Sequence, residues 1–136
     1  MSNTFVIVKP DAVRAGLIGE ILGRYERAGL RVTALELRTI DGEFADRHYA
    51  EHLERDFYPP LRDFMLSGPL VAAVLSGDDA VAKVRELNGA TDPAKADEGT
   101  VRADFGTSVR ENCVHGSDGD ESAAAEIELW FPGHGG

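Results

Sequence analysis

Four apolar runs of strand length occur along the chain. Residues 4–8, TFVIV, form a continuous β-prone run, which predicts a strand buried on both faces at the centre of a sheet. Residues 30–40, LRVTALELRTI, alternate between apolar and polar side chains and predict a half-buried strand. Residues 70–75, LVAAVL, and the short run NCVH at 112–115 predict a third and a fourth strand.

The segments between these runs have the spacing of helices. In residues 18–27 the side chains of Ile18, Ile21, Leu22 and Tyr25 fall on one helix face, and Ala28-Gly29 is a suitable end. Further helices are predicted at 43–54, 60–66, 79–87 and 121–129. Residues 89–110 show no clear period and predict a long irregular loop, and residues 130–136 predict an exposed C-terminal tail.

This order of elements is that of a βαββαβ unit with an extra helical pair inserted. It predicts an α+β, ferredoxin-like sandwich in which helices cover a four-stranded antiparallel sheet. At this length, residues 1–136 are expected to form a single domain. Because such a fold hosts many activities, function must be sought in the side chains.

The charge balance excludes some partners. The chain carries 24 acidic and 14 basic residues and a net charge of −10, which repels nucleic acid and anionic membranes over long range. No apolar run approaches the ~18 residues of a membrane helix, no signal-peptide pattern is present, and Cys113 is the only cysteine. We therefore expect a cytoplasmic protein that meets any anionic ligand with a few locally gathered cations.

Residues 48–52, HYAEH, match the H-x-x-E-H signature of zinc-hydrolase helices. Both histidines would lie on one helix face, as zinc requires, but no third ligand is evident. A helix face that lines a pocket or packs on the sheet is the favoured interpretation. No phosphate-binding loop or dinucleotide fingerprint occurs, so a nucleotide site would have to be built from side chains.

Several scattered polar residues are candidates for such a site. Lys9 follows the central strand, and its charge is expected at a sheet edge or crevice, not in the core. The others, in a later helix and in the long loop, are Arg85, Thr91, Arg102 and Asn112. Each alone is more often a solvated surface residue. Cys113 is expected to act as a small hydrophobe inside the fourth strand.

His115 lies where that strand gives way to a turn, in the stretch NCVHGSD at 112–118. A half-buried structural histidine and a nucleophile are both compatible with this position. An imidazole with an ordinary pKa is mostly neutral at pH 7, so one ring nitrogen keeps a lone pair and needs orientation more than activation.

Seven segments in chain order resemble the nucleoside diphosphate kinase family: FVIVKPDAV, RAGLIGEIL, HYAEH, SGPLVA, GATDPAKADEGTVRADF, RENCVHGSD and ESAAAEIELWF. The resemblance extends from about residue 4 to residue 132. Its central signature, Asn-x-x-His-Gly-Ser-Asp, spans residues 112–118. The WFPG ending is similar to that of bacterial members, actinobacterial ones especially.

The resemblance implies a role for each candidate. His115 would take the γ-phosphate of a nucleoside triphosphate as a phosphohistidine and pass it to a nucleoside diphosphate, a ping-pong phosphotransferase reaction that maintains triphosphate pools. The implied nucleotide-binding residues are Lys9, Phe57, Arg85, Thr91, Arg102 and Asn112. Glu126 and Ser117 would support the imidazole, and Tyr49 and His52 would face the site.

The resemblance also implies Mg²⁺ held by the nucleotide phosphates without protein ligands, broad base specificity through stacking on Phe57, and a homo-oligomer, either hexamer or tetramer. Two alternatives stay open: a catalytically weak nucleotide-binding module, and more remotely a zinc hydrolase. Two positions depart from the family pattern. Ala103 replaces a glycine and would be strained at positive φ, and Arg55-Asp56 replaces lysine-proline before Phe57.

Overall fold

A computed structural model describes residues 1–134 of the chain. Its four strands form one sheet in the order β2-β3-β1-β4, and every neighbouring pair is antiparallel. The strands are β1 (Ser2–Val8), β2 (Arg31–Arg38), β3 (Leu70–Gly77) and β4 (Val114–Gly116). The predicted ferredoxin-like α+β fold is confirmed, with the 4–8 run in an inner strand as expected.

Seven α-helices complete the described structure. They are α1 (Pro10–Arg14), α2 (Ile18–Arg27), α3 (Gly42–His48), α4 (Tyr58–Met65), α5 (Ala80–Asn88), α6 (Val101–Phe105) and α7 (Asp120–Trp130). Short 3₁₀ turns lie at Ala50–His52 and Pro93–Lys95. Within residues 1–134, no helix combines the length and apolar character that a membrane crossing requires.

The central strand β1 contributes to a core on each face of the sheet. Val6 and Val8 pack with buried residues of α2, α5 and α6, whereas Phe5 and Ile7 pack with buried residues of α3, α4 and α7. Successive side chains of a strand point to opposite faces, so a run that is apolar throughout is what a strand covered on both sides requires.

Several local predictions are corrected. The helix α1 was not predicted, because Pro10 was interpreted only as the end of the strand. Proline also suits the first turn of a helix, and Pro10 begins α1. The segment predicted as an irregular loop contains α6 and a 3₁₀ turn. Trp130 ends α7 and is 2% exposed, so it does not belong to an exposed tail. Residues 135–136 of that predicted tail lie outside the described residues.

The prediction that Cys113 lies inside the fourth strand was wrong, and the positive φ that would strain Ala103 does not occur. Cys113 is buried, as expected, but precedes β4 with φ 76°, and its backbone N–H donates to Asp11 Oδ2 at 3.1 Å. Ala103 is an ordinary residue of α6, and its N–H donates to the capping Thr100 hydroxyl at 3.2 Å. Alanine is about 1 kcal/mol better than glycine inside a helix, so this departure carries no strain.

Candidate active site

An open cleft of about 1410 Å³ is lined by the end of β1, by β4, by α5 and α6, and by the first turns of α7. The connection between α3 and α4 forms its opposite wall. The sequence-predicted residues that line it are Lys9, Tyr49, His52, Phe57, Arg85, Thr91, Arg102, Asn112, His115 and Glu126. Ser117 is 1% exposed and contacts the site through Glu126. The structure thus brings the predicted residues together.

His115 lies in the middle of β4, where it pairs with Ile7 of the central strand. The glycine that follows is required by packing. A Cβ at Gly116 would lie 2.9 Å from Val84 Cγ1 and 3.0 Å from Asn88 Nδ2, both on α5. Because glycine lets α5 pack directly against β4, the strand that carries His115 is held between a helix and the central strand.

A carboxylate orients the His115 ring. His115 Nε2 lies 2.9 Å from Glu126 Oε2, and the Ser117 hydroxyl donates to the other oxygen of the same carboxylate. Burial raises the pKa of Glu126, but the hydrogen bonds from His115 and Ser117 outweigh it and hold the pKa below its ordinary value. An ionised Glu126 accepts the Nε2–H proton, which leaves the lone pair of the neutral ring on Nδ1.

His48 is a member of the site that sequence reasoning missed. Its ring meets the His115 ring edge-on, with 5.1 Å between centroids, and its Nδ1 accepts a 3.0 Å hydrogen bond from the Trp130 indole. The H-x-x-E-H match was the available signal, but it drew attention to a zinc pair with His52. Instead, His48 lies against His115, while His52 lines the cleft near Phe57.

The three side chains His48, His115 and Glu126 offer ligand atoms that all lie within 4.8 Å of one another. That spacing alone resembles a metal site. However, the indole N–H occupies Nδ1 of His48, so the neutral ring carries its own proton on Nε2 and presents no lone pair to a cation there. The hydrogen-bonding pattern therefore disfavours the zinc interpretation.

Lys9 lines the cleft, as the prediction of a crevice position requires, but it is only 6% exposed and therefore not a solvated charge. Its ammonium donates to Asn112 Oδ1 and to the Arg110 carbonyl, both at 2.8 Å, and Asn112 in turn donates to the Thr91 carbonyl at 2.9 Å. Burial is the main cause that lowers the pKa of Lys9 to about 8. The predicted residues Lys9, Asn112 and Thr91 are thus joined by hydrogen bonds before any ligand binds.

Arg102 is held by backbone carbonyls. Its two terminal nitrogens donate to Gly89 O at 2.8 Å and to Val114 O at 2.7 Å, and burial lowers the pKa of its guanidinium. Each terminal nitrogen keeps a second N–H for a ligand. Arg85, on α5, is exposed on the same cleft wall. Negative charge is present on the cleft as well. Its rim includes four acidic side chains, Glu51, Asp118, Asp120 and Glu121.

The other wall of the cleft is less enclosed. Phe57 is 50% exposed at the start of α4, with its ring centroid 5.5 Å from that of His52. Phe57 lies in a turn in which the Tyr58 N–H donates a hydrogen bond to the Arg55 carbonyl oxygen, at 3.0 Å. Asp46 of α3 accepts hydrogen bonds from Tyr58 and Arg62 of α4, at 2.6 and 2.9 Å, which ties the two helices together.

These features define a class of site. A carboxylate-oriented imidazole with its lone pair on Nδ1 lies in a cleft that also gathers Lys9, Arg85 and Arg102. Such an arrangement is suited to bring an anionic ligand against a histidine nucleophile.

The chain belongs to the nucleoside diphosphate kinase family and is an enzyme of that family. The family model for "Nucleoside diphosphate kinase" matches residues 2–135. A nucleoside diphosphate kinase of Nocardioides sp. is 63% identical over 131 residues, covering 96% of this chain and 97% of the relative. One from Rhodococcus opacus is 60% identical, covering 96% and 94%. These relatives agree with the actinobacterial resemblance.

Solved structures show the same fold. The apo nucleoside diphosphate kinase of Encephalitozoon cuniculi superposes with a TM-score of 0.94 at 39% identity, covering 97% of this chain and 90% of that one. A halophilic nucleoside diphosphate kinase from Halobacterium salinarum, solved in complex with CDP, gives a TM-score of 0.93 at 45% identity, covering 96% and 87%.

Proposed function

We propose that the chain transfers the γ-phosphate of a nucleoside triphosphate to a nucleoside diphosphate through a phosphohistidine on His115, by a ping-pong mechanism. The observation that carries this proposal is the hydrogen bond between His115 Nε2 and Glu126, at 2.9 Å, inside a cleft lined by cations. It is supported by membership of the nucleoside diphosphate kinase family.

The transfer takes two steps. In the first, the Nδ1 lone pair of His115 attacks the γ-phosphorus, a nitrogen–phosphorus bond forms, and the bond to the bridging oxygen breaks so that a nucleoside diphosphate leaves. In the second, a terminal oxygen of another diphosphate attacks the same phosphorus, and the electron pair returns to Nδ1. The ring keeps its Nε2 proton throughout, and Glu126 stabilises the positive charge on the phosphorylated ring.

The cationic residues stabilise the phosphate charge. Phosphoryl transfer asks a protein mainly for positioning and for groups that offset negative charge. Arg102 and Arg85 offer planar forks of donors to phosphate oxygens, and Lys9 adds an ammonium. Because Arg102 also donates to the carbonyl of Val114, the residue before His115, the same guanidinium would hold the phosphates and the strand of the nucleophile.

We propose that the base stacks on Phe57. Its half-exposed ring lines the cleft, and any base offers a π-face to such a ring. A site that holds the base mainly by stacking accepts purines and pyrimidines alike. The Halobacterium salinarum relative was solved in complex with CDP, which is a pyrimidine nucleotide.

We propose that Mg²⁺ arrives with the nucleotide. In the part of the chain that the structure describes, the only group of three metal-type side chains is His48, His115 and Glu126, which is poor in the oxygen ligands that Mg²⁺ prefers. Phosphate oxygens and waters would supply the ligands, and Asp118 on the cleft wall offers a carboxylate to the hydration shell. The ion would neutralise phosphate charge as the bond to the leaving diphosphate loosens.

We propose a homo-oligomer, because β2 is an edge strand with exposed apolar side chains. Leu35 and Leu37 are 56% and 61% exposed on it, although the sequence pattern predicted a half-buried strand. Exposed strand edges of this kind are normally covered by another chain or element. The hexamer and the tetramer both remain predictions, as do a cytoplasmic location and a role in maintaining triphosphate pools.

The decisive experiment is phosphate labelling. The protein is mixed with Mg²⁺ and γ-labelled ATP, and we expect an acid-labile, base-stable phosphoprotein that discharges onto added GDP. His115→Ala should abolish the label, and the matched control His134→Gln, at a histidine outside the cleft lining, should keep it. Nucleotide binding without labelling would instead support a binding module, and activity abolished by a zinc-specific chelator would support a hydrolase.

A further inference from the structure

Trp130 and His48 form a hydrogen-bonded pair behind the nucleophile. The Trp130 indole nitrogen lies 3.0 Å from His48 Nδ1, and the His48 ring meets the His115 ring at an interplanar angle of 81°. The indole itself is fixed, because it is 2% exposed and packs edge-on against Phe44 with 4.6 Å between centroids. Neither residue of the pair was among the predicted site residues.

The hydrogen bond determines the tautomer of His48. An indole nitrogen only donates, so His48 Nδ1 must accept and must carry the lone pair of the ring. A second proton on Nδ1 would face the indole N–H directly, so the pair opposes the cationic form of His48. The ring consequently stays neutral, with its single proton on Nε2.

We propose that Trp130 and His48 act as a positioning pair that keeps an uncharged imidazole packed against His115, so that positive charge develops on the His115 ring alone. This proposal rests on the proposed phosphohistidine function. His48 limits the rotation of the His115 ring from one side, while the Glu126 carboxylate holds it through Nε2. Were His48 charged, it would repel the cationic ring that forms when His115 is phosphorylated.

Other titratable groups lie around His48 and affect its charge. They are His115 of β4, Glu126 of α7, His52 of the following turn and the neighbouring Tyr49, whose ring centroid lies 4.6 Å away. Burial is the main cause that lowers the pKa of His48 to about 3, and His115 and His52 lower it further whereas Glu126 raises it. The ring gains a second proton only below that pKa, which lies far from neutral pH.

The first test is Trp130→Phe, which removes the N–H donor and keeps an aromatic ring. Without the donor the pKa of His48 should rise, so the ring gains charge as the pH falls. We expect the single-turnover labelling rate to drop about 3-fold at pH 8, and to drop about another twofold at the pH where half of the His48 rings carry charge, which should lie above the value of about 3 that holds in the wild type. The wild-type rate should not show this additional fall.

Two further variants separate charge from packing. His48→Gln cannot become charged, so the double variant His48→Gln/Trp130→Phe should lose the additional acid sensitivity, even though its rate is low at every pH. Phe44→Leu disturbs the packing of the same indole and leaves its N–H in place. It should lower thermal stability without changing the pH profile. A Trp130→Phe profile parallel to the wild type would overturn the proposal.

Nitrogen-15 NMR of the wild-type protein tests the tautomer without any variant. We expect His48 to show a protonated Nε2 and an unprotonated Nδ1 from pH 8 down to pH 5. A protonated Nδ1 would overturn the proposal. Failure of the proposed function gives a different result from failure of the positioning proposal. In that case the wild type takes up no label on His115, and the expected tautomer of His48 is still observed.

Discussion

The two walls of the cleft are built in different ways. On the wall that we propose binds phosphate (the phosphate side), Lys9 and Arg102 donate to backbone carbonyls at 2.7–2.8 Å, and Lys9 is only 6% exposed. On the wall that we propose binds the base (the base side), Phe57 is 50% exposed and precedes a helix that the contacts of Asp46 tie to its neighbour. Two cations are thus held by backbone contacts on the side where we propose that the chemistry takes place, and an open aromatic surface lies where we propose that the base enters.

This difference would let one site combine the proposed phosphoryl transfer with the proposed tolerance toward the base. Groups that must stabilise a transition state are effective when their orientation is fixed before the substrate arrives. A stacking surface needs only an accessible ring face, which a half-exposed phenylalanine provides. Changes on the phosphate side should therefore affect turnover strongly. Changes on the base side should weaken nucleotide affinity only mildly, and to a similar extent for every base.

The largest effect should come from Glu126→Gln on the phosphate side. The amide keeps the shape of the carboxylate but removes its charge, and its N–H can donate to His115 Nε2 and stabilise the wrong tautomer. We expect kcat to fall by roughly 100-fold, which is the size of effect expected when a side chain that holds a catalytic proton in position is lost.

The matched control is Glu128→Gln, which makes the same change at an exposed position two residues further along α7. It should leave kcat within about twofold of the wild type, as surface substitutions usually do. Steady-state kinetics with ATP and GDP measures both variants, and an equal loss in both would contradict the role of Glu126.

A smaller effect should appear as the pH rises above neutrality. Lys9 is charged below its pKa of about 8 and neutral above it, so the phosphate side loses a cation between pH 7 and pH 9. If that charge binds phosphate, kcat/KM should fall about 10-fold across this interval, because the charged fraction falls by that factor. The thiol of Cys113 does not interfere, since burial raises its pKa to about 11.

Lys9→Arg distinguishes this lysine from other groups that titrate above pH 7. Its guanidinium stays charged, so its alkaline decline should disappear, even though its kcat/KM is lower overall. Lys83→Met on α5, outside the cleft lining, should keep the wild-type decline. A decline that persists in Lys9→Arg would assign the titration to another group.

Much of the fold could be predicted because it depends on local patterns. The apolar runs at 4–8 and 70–75 correspond to β1 and β3, and the helical spacing of residues 18–27 corresponds to α2. The helix α1 has only five residues, too few for a hydrophobic period to be visible. The exposure of Leu35 and Leu37 was missed, since alternation does not say whether an element of the same chain covers an edge strand.

Most of the predicted site residues line the cleft, and the support of His115 by Glu126 and Ser117 was predicted as well, but the place of His48 and the burial of Lys9 were not. The family resemblance named His115, Glu126 and the cationic residues, which do line one cleft. The burial of Lys9 depends on Asn112 and the Arg110 carbonyl, about a hundred positions away along the chain. The pairing of His48 with Trp130 likewise joins residues separated by 82 positions. Spacing along the sequence carries no information about such contacts.

The smallest effect should come from Phe57→Ala on the base side. Removing the ring deletes a stacking surface, which is worth roughly 1–3 kcal/mol per base in other sites, and the open position of Phe57 argues for the lower end of that range. We expect KM to rise about 5-fold for ADP, GDP and CDP alike, with little change in kcat. Leu53→Ala is the matched control, because Leu53 is 49% exposed nearby in the sequence but outside the cleft lining. A loss confined to purines, or a fall in kcat as large as that of Glu126→Gln, would show that the two walls are not functionally separate.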